Sequence, residues 1–273
     1  MSWYEKTGLG KETDYLNDYN PALLCPLSRA EGRQQLGLDS ANLPFNGVDI
    51  WQNYEVSWLN GKGKPQVAIM QLFFSAQSPY LIESKSLKLY FNSLNFKKFD
   101  SEHDVVKLLE ADLSHASGAQ VNVVLIPVSS ANQAHQLKGI CLDDLDIEVT
   151  DFELNPKILK NNIATSVISE TVFSHLLRSN CPVTNQPDWG SVSISYIGLA
   201  INHESLLRYL ISFRQHNDFH EQCVERIFCD ILRYCQPQKL TVQAYYTRRG
   251  GLDINPFRSN VDLFPQFQRL VRQ

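Results

Sequence analysis

The sequence predicts an α+β fold made of two consecutive modules, and three observations carry that prediction. Stretches with period-two alternation, such as "NYEVSW", "QVAIMQLFF" and "SVSISYIGL", are interleaved with stretches whose apolar residues recur at helical spacing. The order strand, strand, helix, helix, strand occurs twice, at an offset of roughly 120 residues. A chain of 273 residues with 43% apolar and 20% charged residues has the size and composition to bury a large core in each copy.

Residues 1 to 45 are rich in turn formers and read as a segment that wraps the first module. The first module, 46–150, opens with two strands joined across "LNGKGKP" by a tight Asn-Gly type hairpin. Two helices follow, one with Leu87, Tyr90, Phe91 and Leu94 on its apolar stripe, the next with Val105, Leu108, Leu109 and Leu113. The strand "VNVVLIPV" closes the copy. In the second module, 151–273, the segment "ISETVFSHLLRSN" fits either helix or strand, and symmetry with the first copy favours a strand leading into a hairpin. "SVSISYIGL" alternates Val192, Ile194 and Tyr196 with serines. Leu207, Leu210 and Ile211 then sit 120 after Leu87, Tyr90 and Phe91. A further helix carries Phe219, Val224, Ile227, Phe228, Ile231 and Leu232, and "LTVQAYY" is the closing strand. The copies differ in their first hairpin: the wide loop "SNCPVTNQPDWG" has no counterpart in the first half.

Several function classes lose weight on composition alone. A net charge of −4 leaves no basic footprint, which argues against nucleic acid as a direct partner. No apolar run approaches a membrane span, and "MSWYEKTGLG" lacks the pattern of a secretory leader, so a cytoplasmic protein with reduced thiols is expected. Cys25 and Cys141 are isolated. Cys223, Cys229 and Cys235 lie six apart on a predicted helix, and each step of six turns it by roughly 240°, so the three cannot share a metal. With no Cys-x-x-Cys and no His-Glu-x-x-His pattern, no metal site is expected.

Four stretches hold the candidate chemistry. Cys181 is the one cysteine in a polar loop, readable as a half-buried filler or as a nucleophile; Asp188, seven residues on, suits a desolvated proton donor better than a base. "IESKSLKLYF" reads as a helix start with Ser84 as N-cap. The same stretch reads as an anion site, in which free N–H groups, Lys85 and Lys88 meet phosphate while Glu83 accepts from a ligand's N–H donors. "DFHEQC" offers Asp218 and Glu221 at capping-box spacing, or Glu221 as a carboxylate for the donor edge of a guanine-like base with His220 beside it. "YYTRRGGLDINP" places Arg248 and Arg249 before Gly250 and Gly251, a turn in the first reading and a second phosphate clamp in the other. No Gly-x-Gly-x-x-Gly occurs, so a dinucleotide here does not use a Rossmann domain.

Taken together, these motifs, with "LPFNGVDIWQNYEVSWLN", "SNCPVTNQPDWGS", "FHEQCVERIF" and the ending "RLVRQ", resemble the 7-cyano-7-deazaguanine reductases. These are the NADPH-dependent nitrile reductases of queuosine biosynthesis, here in their long two-module form, and the likeness spans nearly the whole chain. The resemblance implies tandem tunnelling-fold modules of ββααββ type, antiparallel sheets with helices on one face, each copy keeping half of one site. Carried over by motif, Cys181 is the nucleophile and Asp188 the general acid. Ile82, Glu83, Ser84, His220 and Glu221 would line the deazaguanine site, and Ser84, Lys85, Arg249 and Gly250 would contact NADPH. The implied reaction proceeds through a Cys181 thioimide and consumes two NADPH per turnover, in a homodimer without metal. Two other readings of the same fold stand beside it: a cyclohydrolase-like hydrolase and a non-catalytic purine- or pterin-binding protein.

Overall fold

The computed structural model describes residues 17–130, 134–163, 166–261, 265 and 267–273. Residues 1 to 16 of the predicted wrapping segment lie outside the described residues. The chain divides into two compact units. The first comprises Met1–Ala41, Asp49–Asn132 and Arg248–Ile254; the second comprises Asn42–Val48, Gln133–Thr247 and Asn255–Gln273.

In the first unit, β1 (Pro26–Ser28) leads into α1 (Arg29–Gln34), and the long strands β2 (Asn46–Asn60, in this unit from Asp49) and β3 (Pro65–Ser75) follow. After β4 (Tyr80–Ile82) come α2 (Ser84–Asn92), the short β5 (Lys98–Phe99), α3 (Glu102–Ser117) and β6 (Val121–Ile126). The sheet runs β6-β3-β2, while β1 and β4 pair as a separate ribbon. Alternation dictates which face is buried: Ala68, Met70, Leu72 and Phe74 of β3 point one way, and both helices lay their stripes on that face. Leu87, Tyr90, Phe91, Leu94, Val105, Leu109 and Leu113 all join this core, as predicted. The predicted hairpin forms, with Asn60 donating its N–H to the Lys64 carbonyl at 3.0 Å and Gly63 in the left-handed region.

The second unit contains β7 (Ile140–Cys141), β8 (Val167–Ser174), β9 (Arg178–Asn180) and β10 (Pro187–Leu199), then α4 (His203–Ile211) and α5 (His220–Cys235). It closes with β11 (Lys239–Tyr246) and, from Asn255 on, β12 (Leu252–Ser259), in the sheet order β7-β8-β10-β11-β12, with β9 on β10. "ISETVFS" is therefore a strand, as the symmetry of the two copies predicted. Val192, Ile194 and Tyr196 are buried on β10, and Leu240, Val242 and Ala244 on β11. Phe219 does not belong to the stripe of α5; it is the N-cap residue, one position outside the helix.

Hydrogen bonds show that the repeat is real and correct its register. Asn20 donates its N–H to Ser93 Oγ at 3.2 Å, and Asn155 to Ser212 Oγ at 3.3 Å. Tyr90 donates to Asp112 Oδ2 at 2.6 Å, and Tyr209 to Asp230 Oδ2 at 2.7 Å. Ser86 Oγ donates to the Glu83 carbonyl, and Ser205 Oγ to that of Asn202. Glu83, Ser86, Tyr90 and Ser93 thus match Asn202, Ser205, Tyr209 and Ser212, an offset of 119. The partners of Leu87, Tyr90 and Phe91 are Leu206, Tyr209 and Leu210, one residue short of the 120 offset predicted. The apolar doublets of α4 fit either pairing, and only its polar contacts separate them.

Each unit also buries an ion pair. Arg29 Nη2 meets Asp49 Oδ2 at 2.6 Å, with the side chains 3% and 1% exposed. Arg258 meets Glu225 Oε1 through Nε at 3.1 Å and Nη2 at 2.9 Å, and its guanidinium lies over the Phe45 ring, which packs edge-on against Phe228. Removing one member of such a pair strands a charge in the core. Glu225→Ala is expected to destabilise the protein by about 3–5 kcal/mol in denaturant unfolding, and Glu225→Leu with Arg258→Met to recover most of that loss.

Candidate functional site

The loop that distinguishes the second copy is the turn of the β9–β10 hairpin. Asn180 pairs with Pro187, Ser179 with Asp188 and Arg178 with Trp189. The ladder continues one step further, since the Cys181 N–H reaches the Gln186 carbonyl at 2.9 Å. Cys181 therefore falls on the same face as Ser179 and Asp188, one diagonal step from the aspartate. The tip is held closed: Asn185 returns its N–H to the Cys181 carbonyl at 3.0 Å and takes the left-handed conformation that asparagine tolerates. Asn217 braces it from outside, donating to Asn185 Oδ1 at 2.9 Å, while the Asn180 N–H bonds to the His216 carbonyl and the Asp218 N–H to that of Asn180. The outcome is a half-buried thiol on a fixed turn, two residues along the chain from the partner of a carboxyl only 5% exposed.

The structure adds a partner to Asp188. His220, the first residue of α5, places Nε2 3.8 Å from Asp188 Oδ1. Glu221 lies in the same first turn, 3% exposed. The predicted capping box does not form: Asp218 accepts the Phe219 N–H at 3.0 Å and faces His216 Nε2 at 3.3 Å. The N-cap residue of α5, Phe219, has no side-chain cap hydrogen bond. On the opposite face of β10, Trp189 has the guanidiniums of Arg178, Arg214 and Arg272 at 5.4, 5.4 and 5.8 Å.

In the first unit, β4 ends at the buried Ile82 and α2 begins. The N-cap is Glu83, not Ser84 as expected: its carboxylate accepts the N–H groups of Lys85 at 2.6 Å and Ser86 at 2.8 Å, leaving Ser84 as the first helical residue. The longer Glu83 side chain folds back over the helix end because the strand before it is pinned, with the Glu83 N–H on the Cys25 carbonyl and the Cys25 N–H on Ser86 Oγ. Burial raises the pKa of the Glu83 carboxyl, opposed by the Lys85 and Ser86 N–H groups and by the Lys88 ammonium. The same burial, with the neighbouring Glu83 charge, pushes the Cys25 thiol up. Two helix-end donors expected to be open for an anion are thus occupied by Glu83.

"RRGG" is a turn, as the local reading favoured. Arg249 and Leu252 exchange hydrogen bonds at 2.9 and 3.2 Å around Gly250 and Gly251, both with positive φ, the two-residue primed turn of a hairpin. Its position also suits the clamp reading. A Cβ on Gly250 would lie 3.3 Å from the Lys88 methylenes and 3.4 Å from Nζ, and one on Gly251 would strike Glu55 at 2.5 Å. Tyr54 donates its N–H to the Gly251 carbonyl, and the Arg248 guanidinium lies 4.2 Å over the Tyr54 ring. Lys88 and the Arg249–Gly250 turn are therefore neighbours, which sequence separation alone did not reveal.

Among the described residues, no group of three or more His, Cys, Asp or Glu is placed to hold a metal ion, and no helix is long and apolar enough to cross a membrane. All six cysteines are free. Burial pushes up the thiols of Cys223, Cys229 (to about 12) and Cys235 (to about 11), so these three on α5 are poor nucleophiles.

The family matches and the sequence relatives agree. Residues 15–125 match the family described as nitrile reductase, 7-cyano-7-deazaguanine-reductase N-term, and residues 187–263 match the family described as QueF-like protein. The NADPH-dependent 7-cyano-7-deazaguanine reductase of Hydrogenovibrio crunogenus is 54% identical over 98% of this chain and 97% of its own length. The protein of the same name from Chromobacterium violaceum is 54% identical over 96% and 94%. Among solved structures, the archaeosine synthase QueF-Like in its apo form matches 35% of this chain and 94% of its own at 17% identity, with a TM-score of 0.31.

Proposed function

Because this chain belongs to the 7-cyano-7-deazaguanine reductase family, we propose that it reduces 7-cyano-7-deazaguanine to 7-aminomethyl-7-deazaguanine with two NADPH, within tRNA queuosine biosynthesis. The observation that best supports this reading is the shared face of Cys181 and Asp188 on a braced hairpin, with His220 beside the acid.

A nitrile carbon is a weak hydride acceptor, and a thiol next to an acid answers that weakness. Cys181 sulfur bonds to the nitrile carbon, one C≡N π bond breaks, and the nitrogen takes a proton from Asp188, giving a thioimide. The thiol's own proton is returned through the Asp188–His220 pair, so the step is neutral overall. NADPH, when bound, supplies hydride to the activated carbon and again to the imine left when Cys181 departs. Glu83, flanked in sequence by Ile82 and Ser84, and Glu221, preceded by His220, are each carboxylates suited to the N–H donors of a deazaguanine. The NADPH phosphates fit Ser84, Lys85, Lys88 and Arg249, where Gly250 leaves open the space that a Cβ would fill beside Lys88. Six free thiols suit a reducing compartment, so we place the protein in the cytoplasm, without membrane or nucleic acid as partner. A homodimer is the assembly the family resemblance implies.

Mixing protein, 7-cyano-7-deazaguanine and NADPH is expected to consume two NADPH per nitrile by nicotinamide absorbance; no loss at any pH overturns the reading. Without NADPH, the intact mass of wild type is expected to rise by one nitrile while Cys181→Ala stays unmodified. Equal adducts on both, or none on either, would remove the thioimide. Arg249→Ala or Lys85→Ala is expected to raise KM for NADPH roughly ten- to a hundredfold, as loss of a charge-assisted contact does, and to spare KM for the nitrile. A selective loss for the nitrile counts against the clamp. The pH dependence follows from Glu83. Its raised pKa means that the ionised, hydrogen-bond-accepting form is lost as pH falls, earlier than for an ordinary glutamate. KM for the nitrile should climb as pH is lowered and be high and flat in Glu83→Gln; a flat wild-type profile rejects this role.

A further inference from the structure

We propose that Tyr246 is a positioning residue for the acid step: its ring, seated on Gly190, holds His220 edge-on so that Nε2 faces the Asp188 carboxyl. The proposal rests on the reductase reading for the identity of the proton acceptor, and on geometry for the rest.

Gly190 and Tyr246 are registered partners across β10 and β11, two residues from Asp188 on the same face. A Cβ on Gly190 would lie 3.2 and 3.3 Å from two carbons of the Tyr246 ring, so the absence of a side chain is what lets the ring lie down on the strand. The ring is 1% exposed, and His220 meets it at a centroid distance of 4.0 Å and an angle of 74°. An edge-to-face contact this close removes most of the rotational freedom of the imidazole about its χ2. What remains aims Nε2 at Asp188 Oδ1 across 3.8 Å, too long for a direct hydrogen bond. Two proton-bearing groups at that spacing can both reach a single nitrogen lying about 2.8 Å from each. The nitrile nitrogen must gain protons as its carbon is reduced, so one acid on each side of it serves both stages.

The working part of Tyr246 is the ring. Its hydroxyl is buried without a well-formed hydrogen bond, close to the Ser179 hydroxyl and the Cys223 thiol, and burial keeps it neutral. Asp188 has Ser179 as its registered partner, so the hydroxyl, the thiol and the serine form the floor under the acid, while the ring controls the histidine.

The test compares Tyr246→Phe, Tyr246→Leu and Gly190→Ala in the full chain, with kinetics and with ¹⁵N-histidine NMR of the ligand-free protein. Phe is expected to rescue, with kcat within about twofold of wild type and unchanged His220 ring signals. Leu is expected to lower kcat roughly ten- to a hundredfold, the scale of a small misplacement, with KM for the nitrile within about threefold. Its His220 signals should show mixed tautomers or exchange broadening. Gly190→Ala should reproduce the kcat loss while the tyrosine is still present, and it covers the case in which Leu does not fold. A Phe variant as impaired as Leu, a kcat retained in both Leu and Gly190→Ala, or a loss confined to KM would overturn the proposal. If wild type consumes no NADPH, the reductase reading fails by itself. The NMR comparison then still decides the positioning, since unchanged His220 signals in Leu and Gly190→Ala reject it.

Discussion

The register of β10 is the constraint on which the candidate site depends. Strand side chains alternate with a period of two, so the pairing that buries Val192, Ile194 and Tyr196 also decides where every other residue of the strand points. Asp188 and Gly190 share the parity of those core residues, and Trp189 has the other. A slip by one residue would turn Asp188 away from His220 and bring Trp189 and its arginines into its place. Three apolar side chains and two ladders, to β8 and β11, thereby enforce the position of a carboxyl that contributes nothing to the core itself.

The duplication supplies an internal control for the other half of the site. Glu83 and Asn202 occupy equivalent positions and do the same capping task, each accepting the N–H three residues on. Asparagine caps as well as a carboxylate does, and it avoids the cost of burying a charge. A glutamate at position 83, desolvated and raised in pKa, is therefore not explained by helix capping. The following residues diverge in the same sense: Lys85 and Lys88 stand where the second copy has Glu204 and Leu207. One helix start carries a buried carboxylate and two lysines. Its twin has closed over its own side chains, with Asn202 bonded to Asn162 and His203 to Glu170.

Much of this was legible in the sequence. Period-two and helical patterning identified the main elements, and the motif likeness singled out Cys181, Asp188, Glu83, His220 and Glu221. What escaped was set by contacts between distant residues. The N-cap was placed on Ser84 because serine is the stronger local signal; only the strand pinned by Cys25 brings Glu83 back over the helix end. The Asp218–Glu221 spacing suggested a box, but His216, two residues upstream, competes for the aspartate. The neighbours of Gly190 and Gly250 lie 56 and 162 residues away, at Tyr246 and Lys88, and no periodicity reports such pairs. The one usable signal was glycine itself, beside Trp189 and after Arg249, where a backbone needs close approach or positive φ.

Neither unit is drawn from one continuous stretch of chain. Leu252 and Ile254 belong to the hydrophobic core of the first unit, and Gly251 is bonded to Tyr54 on β2. Phe45, from the early part of the chain, packs against Phe228 in the second unit. During synthesis the first unit therefore emerges without the residues that complete its core, and must wait until some 250 residues have left the ribosome. The second unit, conversely, needs a segment made long before it. Duplication of a module thus did not yield two independently maturing halves. The exchanged segments make completion a single late event, in which the arginine-glycine turn and the β9–β10 hairpin become native together with the last strands.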